Sequence, residues 1–314
     1  MPFPCRCNRP VARVCHCRPR CGQPEAGLAV VRRKGGNMLQ ISREDVRHDP
    51  FPHVVTSQLL PNDLFAALKA DWPAGEAFEA TAGATGSVGS RAGKGTGFDI
   101  YRGDPAYDAL IARSDAWATF DGWINSPAFV ETYLELFGPD GEAMGITAEI
   151  DPARYDRAYI EPRATLTEHA TLGEKLGNIT RRFTRGLKPK APVDLFTRLD
   201  ITRSLGGYAK PPHCDRSNRL CSLIVYFSDA EETGLEGGDL LIYKAKRAVP
   251  IVDAPRHPRP EDVEIVATLK PRANQGVFFP CCNTSYHGVT AVTSQGVPRD
   301  FLYINISART GSLW

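Results

Sequence analysis

The chain contains no apolar run near the roughly 20 residues that a membrane span needs, so no transmembrane helix is expected. Its first residues lack the apolar stretch of a secretory leader. Charge is close to balanced, at +2 over 314 residues, which gives no global electrostatic case for nucleic acid or a membrane surface as partner. No internal repeat is visible. A phosphate loop also fails, because Gly93-Lys94 is followed by Gly95 and Val88 stands where the first glycine belongs. Histidine is scarce, at seven residues, so the positions of the few matter.

With 42 % hydrophobic and 24 % charged residues, the chain has the composition of a globular protein with room for a large core. Cysteine is unevenly spread. Five of the nine (Cys5, Cys7, Cys15, Cys17, Cys21) lie in residues 1–37 among Arg, Pro and Gly. A zinc knot there is disfavoured, because Cys-x-Cys pairs replace the usual Cys-x2-4-Cys knuckles and little apolar material surrounds them. Lys34-Gly35-Gly36-Asn37 could be encoded by a ribosome-binding sequence just ahead of a start codon at Met38. Residues 1–37 are expected to be a disordered or non-native tail. The other four, Cys214, Cys221, Cys281 and Cys282, fit a reduced, cytoplasmic setting.

From Met38 onward a single domain is expected. Asp49-Pro50-Phe51-Pro52-His53-Val54-Val55 suggests a strand entered through a turn, with His53 structural. Leu59-Leu60-Pro61-Asn62-Asp63 opens a helix that stops before Pro73. Residues 82–97 are glycine-rich, a surface loop or a lid carrying Arg91 and Lys94. Residues 105–138 place Leu110, Trp117, Phe120, Trp123, Phe129 and Tyr133 at helical steps, a stripe for packing on a sheet. Residues 151–192 interrupt this pattern with Arg181, Arg182, Arg185, Lys188 and Lys190, a solvated face or a dock for an acidic substrate.

Beyond residue 193 the pattern changes to short β-like runs: Leu195–Ile201, Cys221–Phe227, Asp239–Tyr243, Val263–Leu269, Gly276–Phe279, His287–Val292 and Phe301–Ile306. Gly, Pro and Asn punctuate them, which predicts a sandwich, barrel or jelly roll. Within this set, His213 and Asp215 stand two apart and on a strand would leave one face. An imidazole and a carboxylate so placed are two-thirds of the 2-His-1-carboxylate triad that holds Fe(II) with coordination sites open. The third ligand must come from a distant strand, with His287 the natural candidate. A non-catalytic jelly-roll binding protein and a cupin-type metalloenzyme are the competing readings. The strand leading to this motif also puts Arg198 and Asp200 on one face. Together with Arg203, they are candidate substrate or co-substrate contacts.

Residues from about 193 to 310 resemble the double-stranded β-helix core of the Fe(II)/2-oxoglutarate-dependent dioxygenases, nearest in pattern to the prolyl-4-hydroxylase-like branch. The matching residues are His213-x-Asp215, Tyr226, Gly237-Gly238-Asp239-Leu240, Phe278-Phe279, His287 and Arg299. The opening Pro-Phe-Pro-His-Val-Val segment adds to the likeness. The resemblance implies an α+β fold, mainly β: a double-stranded β-helix (jelly roll) supported by N-terminal helices. Its parts would be helical support and first strands in 38–150, a basic insert in 151–192, and the core in 193–314. It implies Fe(II) on His213, Asp215 and His287. It further implies 2-oxoglutarate held by Arg299 with help from Tyr226, O2 as oxidant, and ascorbate as an accessory. Arg299 lies twelve residues after His287, slightly beyond the usual spacing, which implies an inserted loop at Gln295-Gly296-Val297-Pro298. The implied reaction hydroxylates an unactivated C–H of a small metabolite, amino acid or peptide, releasing succinate and CO2; a protein prolyl hydroxylase is the alternative.

Overall fold

The computed structural model describes residues 38–81, 97–162, 190–248, 254–309 and 312–314, all within one compact unit spanning Gly36–Trp314. The expected tail, the Gly-rich loop up to residue 96 and most of the basic insert lie outside the described residues. Two antiparallel sheets carry the fold. One has six strands in the order β1 (Val54–Thr56), β10 (Gly276–Pro280), β7 (Arg219–Tyr226), β12 (Arg299–Ala308), β5 (Leu195–Ser204) and β2 (Gly97–Tyr101). The other has four, in the order β6 (Lys210–His213), β11 (His287–Val289), β8 (Leu240–Ala245) and β9 (Val263–Leu269). A short parallel pair, β3 (Ala148–Glu149) with β4 (Ala191–Pro192), stands apart from both. The two larger sheets face each other as a jelly-roll sandwich and do not close into a barrel.

The six-stranded sheet separates two interiors. Its outer face packs on three of the helices, α3 (Pro105–Arg113), α4 (Asp115–Ile124) and α5 (Pro127–Phe137), and on α1 (Asn62–Ala70). These helices explain the aromatic stripe: Trp117, Phe120, Trp123, Phe129 and Tyr133 are buried in one cluster with Leu199, Ile201, Leu223, Val225, Leu302 and Ile304. The expected helical stretch is broken twice. Ser114 caps α4, its Oγ accepting from Trp117 N at 3.4 Å, and Ser126 precedes the proline that opens α5. The inner cluster joins Ile224, Tyr226, Val277, Phe279 and Phe301 of one sheet to Leu240, Ile242 and Val289 of the other.

Several boundaries shift from those expected. The strand anticipated from Asp49 is only β1, preceded by a single bridge between Arg47 and His53. His53 is buried, with Nδ1 against Phe51 O at 2.8 Å and, among the described residues, no other candidate metal ligand grouped with it, which fits a packing role. Strand β2 was not anticipated, because it is five residues long and abuts a glycine-rich stretch. Strand β6 ends at His213, so Asp215 lies past the strand rather than on its face.

Candidate metal centre

β6 and β11 are antiparallel neighbours, and their register sets His213 directly opposite His287. The two imidazoles come within 4.3 Å, centroid to centroid. The chain leaving β6 brings Asp215 Oδ2 to 3.7 Å from His287 Nε2. One ligand atom from each of these three residues fits within a common 4.8 Å, close enough to share one ion. Among the described residues no other His, Cys, Asp and Glu group of this kind occurs.

Both rings are set the same way by their own backbone. His213 Nδ1 lies 2.9 Å from Pro211 O, and His287 Nδ1 lies 3.0 Å from Ser285 O. A carbonyl only accepts, so each neutral ring keeps its proton on Nδ1 and presents the Nε2 lone pair. Burial lowers the pKa of both histidines; in His213 the neighbouring His287 and Lys210 add to the effect. Neutral, oriented imidazoles are what a metal requires.

Asp215 is held by a collar of donors. Ser222 Oγ donates to Oδ2 at 2.6 Å, Tyr303 OH to Oδ1 at 2.7 Å, and Arg219 Nη1 to Oδ1 at 3.3 Å. Burial alone would push this carboxyl up. His287, the Arg219 charge and the Ser222 hydrogen bond outweigh it and hold Asp215 below the usual carboxylate range. Asn305 extends the collar, its Nδ2 donating to Ser222 Oγ at 2.9 Å. These residues escaped the sequence reading. Ser222 left one trace, a hydroxyl interrupting the apolar run from Leu220 to Phe227.

Arg299 opens β12 and is 1 % exposed, a buried guanidinium. Its Nε donates to Gly238 O at 2.7 Å and its Nη2 to Tyr226 OH at 2.9 Å, whereas its buried Nη1 has no hydrogen-bond partner among the described residues. Gly238 makes this possible. A Cβ there would lie 2.6 Å from Arg299 Cδ, and its φ of +72° favours glycine in any case. Burial raises the Tyr226 pKa, so its phenol is neutral and keeps a proton to donate. A buried cation with a donor to spare, beside a free phenol proton, suits an incoming carboxylate.

The other candidates divide between the two faces of β5. Arg198 and Asp200 share one face of β5, turned inward, but they bond each other: Nε lies 2.8 and 2.9 Å from the two carboxylate oxygens, and Glu161 is 3.4 Å from Nη1. Arg198 also lies over the Tyr101 ring at 4.1 Å. Arg203 faces the other way. Its guanidinium grips both oxygens of Asp300 at 2.7 and 2.8 Å and covers the Phe78 ring on the helical side. Pleat alternation thus takes Arg203 away from the inner face of the sheet.

Residues 199–306, which contain the triad and Arg299, match the 2OG-Fe(II) oxygenase superfamily. The match spans about a third of the chain and supports an oxidoreductase of the dioxygenase type, for which that superfamily implies Fe(II) and 2-oxoglutarate as metal and co-substrate. No curated protein matches the chain. Similar solved structures include a Pseudomonas putida prolyl-4-hydroxylase, 14% identical over 82% of this chain and 93% of that one, with a TM-score of 0.40. A Phytophthora capsici prolyl 4-hydroxylase is 12% identical over 82% of this chain and 59% of its own, at a TM-score of 0.39. A Burkholderia pseudomallei 2OG-Fe(II) oxygenase-family oxidoreductase is 17% identical over 45% of this chain and 60% of its own, at 0.26. The residues present fit both groups: two imidazoles and a carboxylate for the iron, and the orphaned Nη1 of Arg299 for the co-substrate.

Proposed function

We propose that this oxygenase hydroxylates an unactivated C–H bond of a small metabolite, amino acid or peptide, coupled to conversion of 2-oxoglutarate and O2 into succinate and CO2. His213, Asp215 and His287 hold the Fe(II), and Arg299 with Tyr226 holds the distal carboxylate of 2-oxoglutarate. The observation that carries this reading is the pairing, in one sandwich interior, of a three-ligand site with a buried arginine that has no ion pair among the described residues. When bound, the iron supplies the redox chemistry that activates O2.

The protein's part is placement. Backbone carbonyls aim the two Nε2 atoms, the Asp215 collar fixes the carboxylate, and the apolar inner cluster keeps water from the reacting face. Asp215 occupies the third ligand position with a carboxylate, so no ligand site is vacated for a halide; the outcome is oxygen insertion rather than halogenation. Residues 38–314 act as one domain in this reading, with residues 1–37 dispensable. The described cysteines are unpaired, which supports a reducing, cytoplasmic setting in which ascorbate acts as accessory reductant.

The test is incubation with Fe(II), 2-oxoglutarate and a metabolite and peptide library under 18O2, following succinate and product mass. Substrate-dependent succinate with one labelled oxygen gained in the product is expected. Absence of Fe(II)-dependent succinate sinks the reading. A chlorinated product overturns the inference from Asp215, and a prolyl peptide as the best substrate moves the function to the prolyl hydroxylase alternative.

A further inference from the structure

Lys210 opens β6, the edge strand of the four-stranded sheet, opposite Val289, whose side chain belongs to the inner cluster. Its ammonium crosses the gap between the sheets and stands 5.7 Å from the centre of the Tyr303 ring. Tyr303 is the residue whose hydroxyl holds Asp215, so Lys210 lies beside the metal residues and inside the sandwich. Among the described residues its ammonium makes no hydrogen bond and no ion pair; beyond the Tyr303 ring contact it feels the longer-range attraction of Asp215 and Asp99.

The acids nearby are engaged elsewhere. Asp200 and Glu161 both answer Arg198, and Asp215 answers Arg219. Asp99, inward on β2, accepts from Thr202 at 2.9 Å; burial and then Asp200 push its pKa up to about 6. Tyr208 first, then Asp215 and Asp99, hold the Lys210 pKa above its ordinary value against opposing burial, so the ammonium is charged at neutral pH.

Loading the site would leave this ammonium as it is. The iron would be balanced by Asp215 and one carboxylate of 2-oxoglutarate, and Arg299 by the other, so neither offers Lys210 a direct ion pair. A ligand that brings a carboxylate to this ammonium is favoured, because a partly desolvated charge gains most from a direct partner.

We propose that the prime substrate is a small carboxylic acid whose carboxylate is bound by Lys210. This rests on the reading of the protein as a 2-oxoglutarate-dependent hydroxylase and narrows its substrate to an anion. The same ammonium chemistry would also suit a carboxylate of 2-oxoglutarate, and the experiment separates the two.

In the full-length protein loaded with Mn(II) under nitrogen, calorimetry measures 2-oxoglutarate binding to wild type, Lys210→Met and Lys210→Arg. Free amino acids and simple organic acids, each paired with its carboxamide, are then compared as ligands of the loaded protein and as stimulants of succinate formation with Fe(II) and O2. The expected result is that acids bind and stimulate at least tenfold better than their amides. Lys210→Met should erase that preference, Lys210→Arg should restore part of it, and 2-oxoglutarate affinity should move less than about threefold. Equal behaviour of acids and amides, including failure of both, overturns the proposal. A tenfold or greater loss of 2-oxoglutarate affinity in Lys210→Met overturns it too, by assigning the ammonium to the co-substrate. If the wild-type protein does not bind 2-oxoglutarate at all, the fault lies with the hydroxylase reading itself, and this inference falls with it.

Discussion

Along β5, Leu199 and Ile201 turn to the helices while Arg198, Asp200, Thr202 and Ser204 turn to the facing sheet, and both sets are buried. The same division runs through β12, where Leu302 and Ile304 face the helices and Arg299, Tyr303 and Asn305 face inward. One face of the sheet therefore holds the fold together and the other holds charges in place. Apolar packing needs only volume and shape, whereas each buried polar group needs a particular partner. The inner face meets that demand with hydrogen bonds everywhere except at a few atoms, Arg299 Nη1 and Asn305 Oδ1 among them.

Substitutions on the two faces should separate function from stability. The largest effect is expected at the ligands. Asp215→Ala or His287→Ala should lower Fe(II) affinity beyond the roughly 10–100-fold typical of losing an outer partner and should abolish turnover, read by metal titration and succinate formation. Arg299→Ala should come next, weakening 2-oxoglutarate binding by about 2–5 kcal/mol because a buried charge contact loses one side; calorimetry checks this, and Arg299→Lys should fall between it and wild type. On the opposite face, Leu199→Ala should cost about 2–5 kcal/mol of folding stability in denaturant unfolding while metal affinity is kept. Loss of metal binding there, or a large stability loss at Arg299, would erase the contrast between the faces.

Two smaller effects sharpen it. Tyr303→Phe removes one donor from Asp215 and should reduce Fe(II) affinity about 10-fold, with a melting temperature close to wild type. The last concerns pH. Burial lowers the pKa of His53, His213 and His287 in the folded protein. Below the ordinary histidine pKa of roughly 6.5 the unfolded chain takes up protons that the folded chain refuses, so stability rises with pH there. The metal-free protein should therefore melt several degrees lower at about pH 5.5 than at about pH 7.5, and bound metal should widen that gap by competing with the protons.

The fold and the gathering of His213, Asp215 and His287 were largely legible because they depend on local signals. His213-x-Asp215, the Gly237-Gly238 turn and the alternating or apolar runs each lie within a few residues, and the resemblance tied them to His287 and Arg299. What was hidden depends on register. Nothing near Tyr303 shows that it would cross from β12 to Asp215, and nothing near Arg219 shows that it would join both. Arg203 fits the motif by composition, but the pleat turns it outward to Asp300. Asp215 was assigned to a strand face, whereas the strand stops at His213 and the carboxylate reaches its position from the segment that follows. Lys210 escaped the sequence reading, because a lysine three residues before a ligand carries meaning only once its partner strand is known.

The brevity of β6 carries a mechanical consequence. Two of its four residues are Pro211 and Pro212, which have no N–H to give, so this sheet edge is fastened by few ladder bonds. Its last residue, His213, faces His287 on the neighbouring strand, and an ion gripping both would act as a rivet across that seam. The metal would then do for the border of the sheet what missing amide hydrogens cannot, and emptying the site would loosen the same strand that carries Lys210.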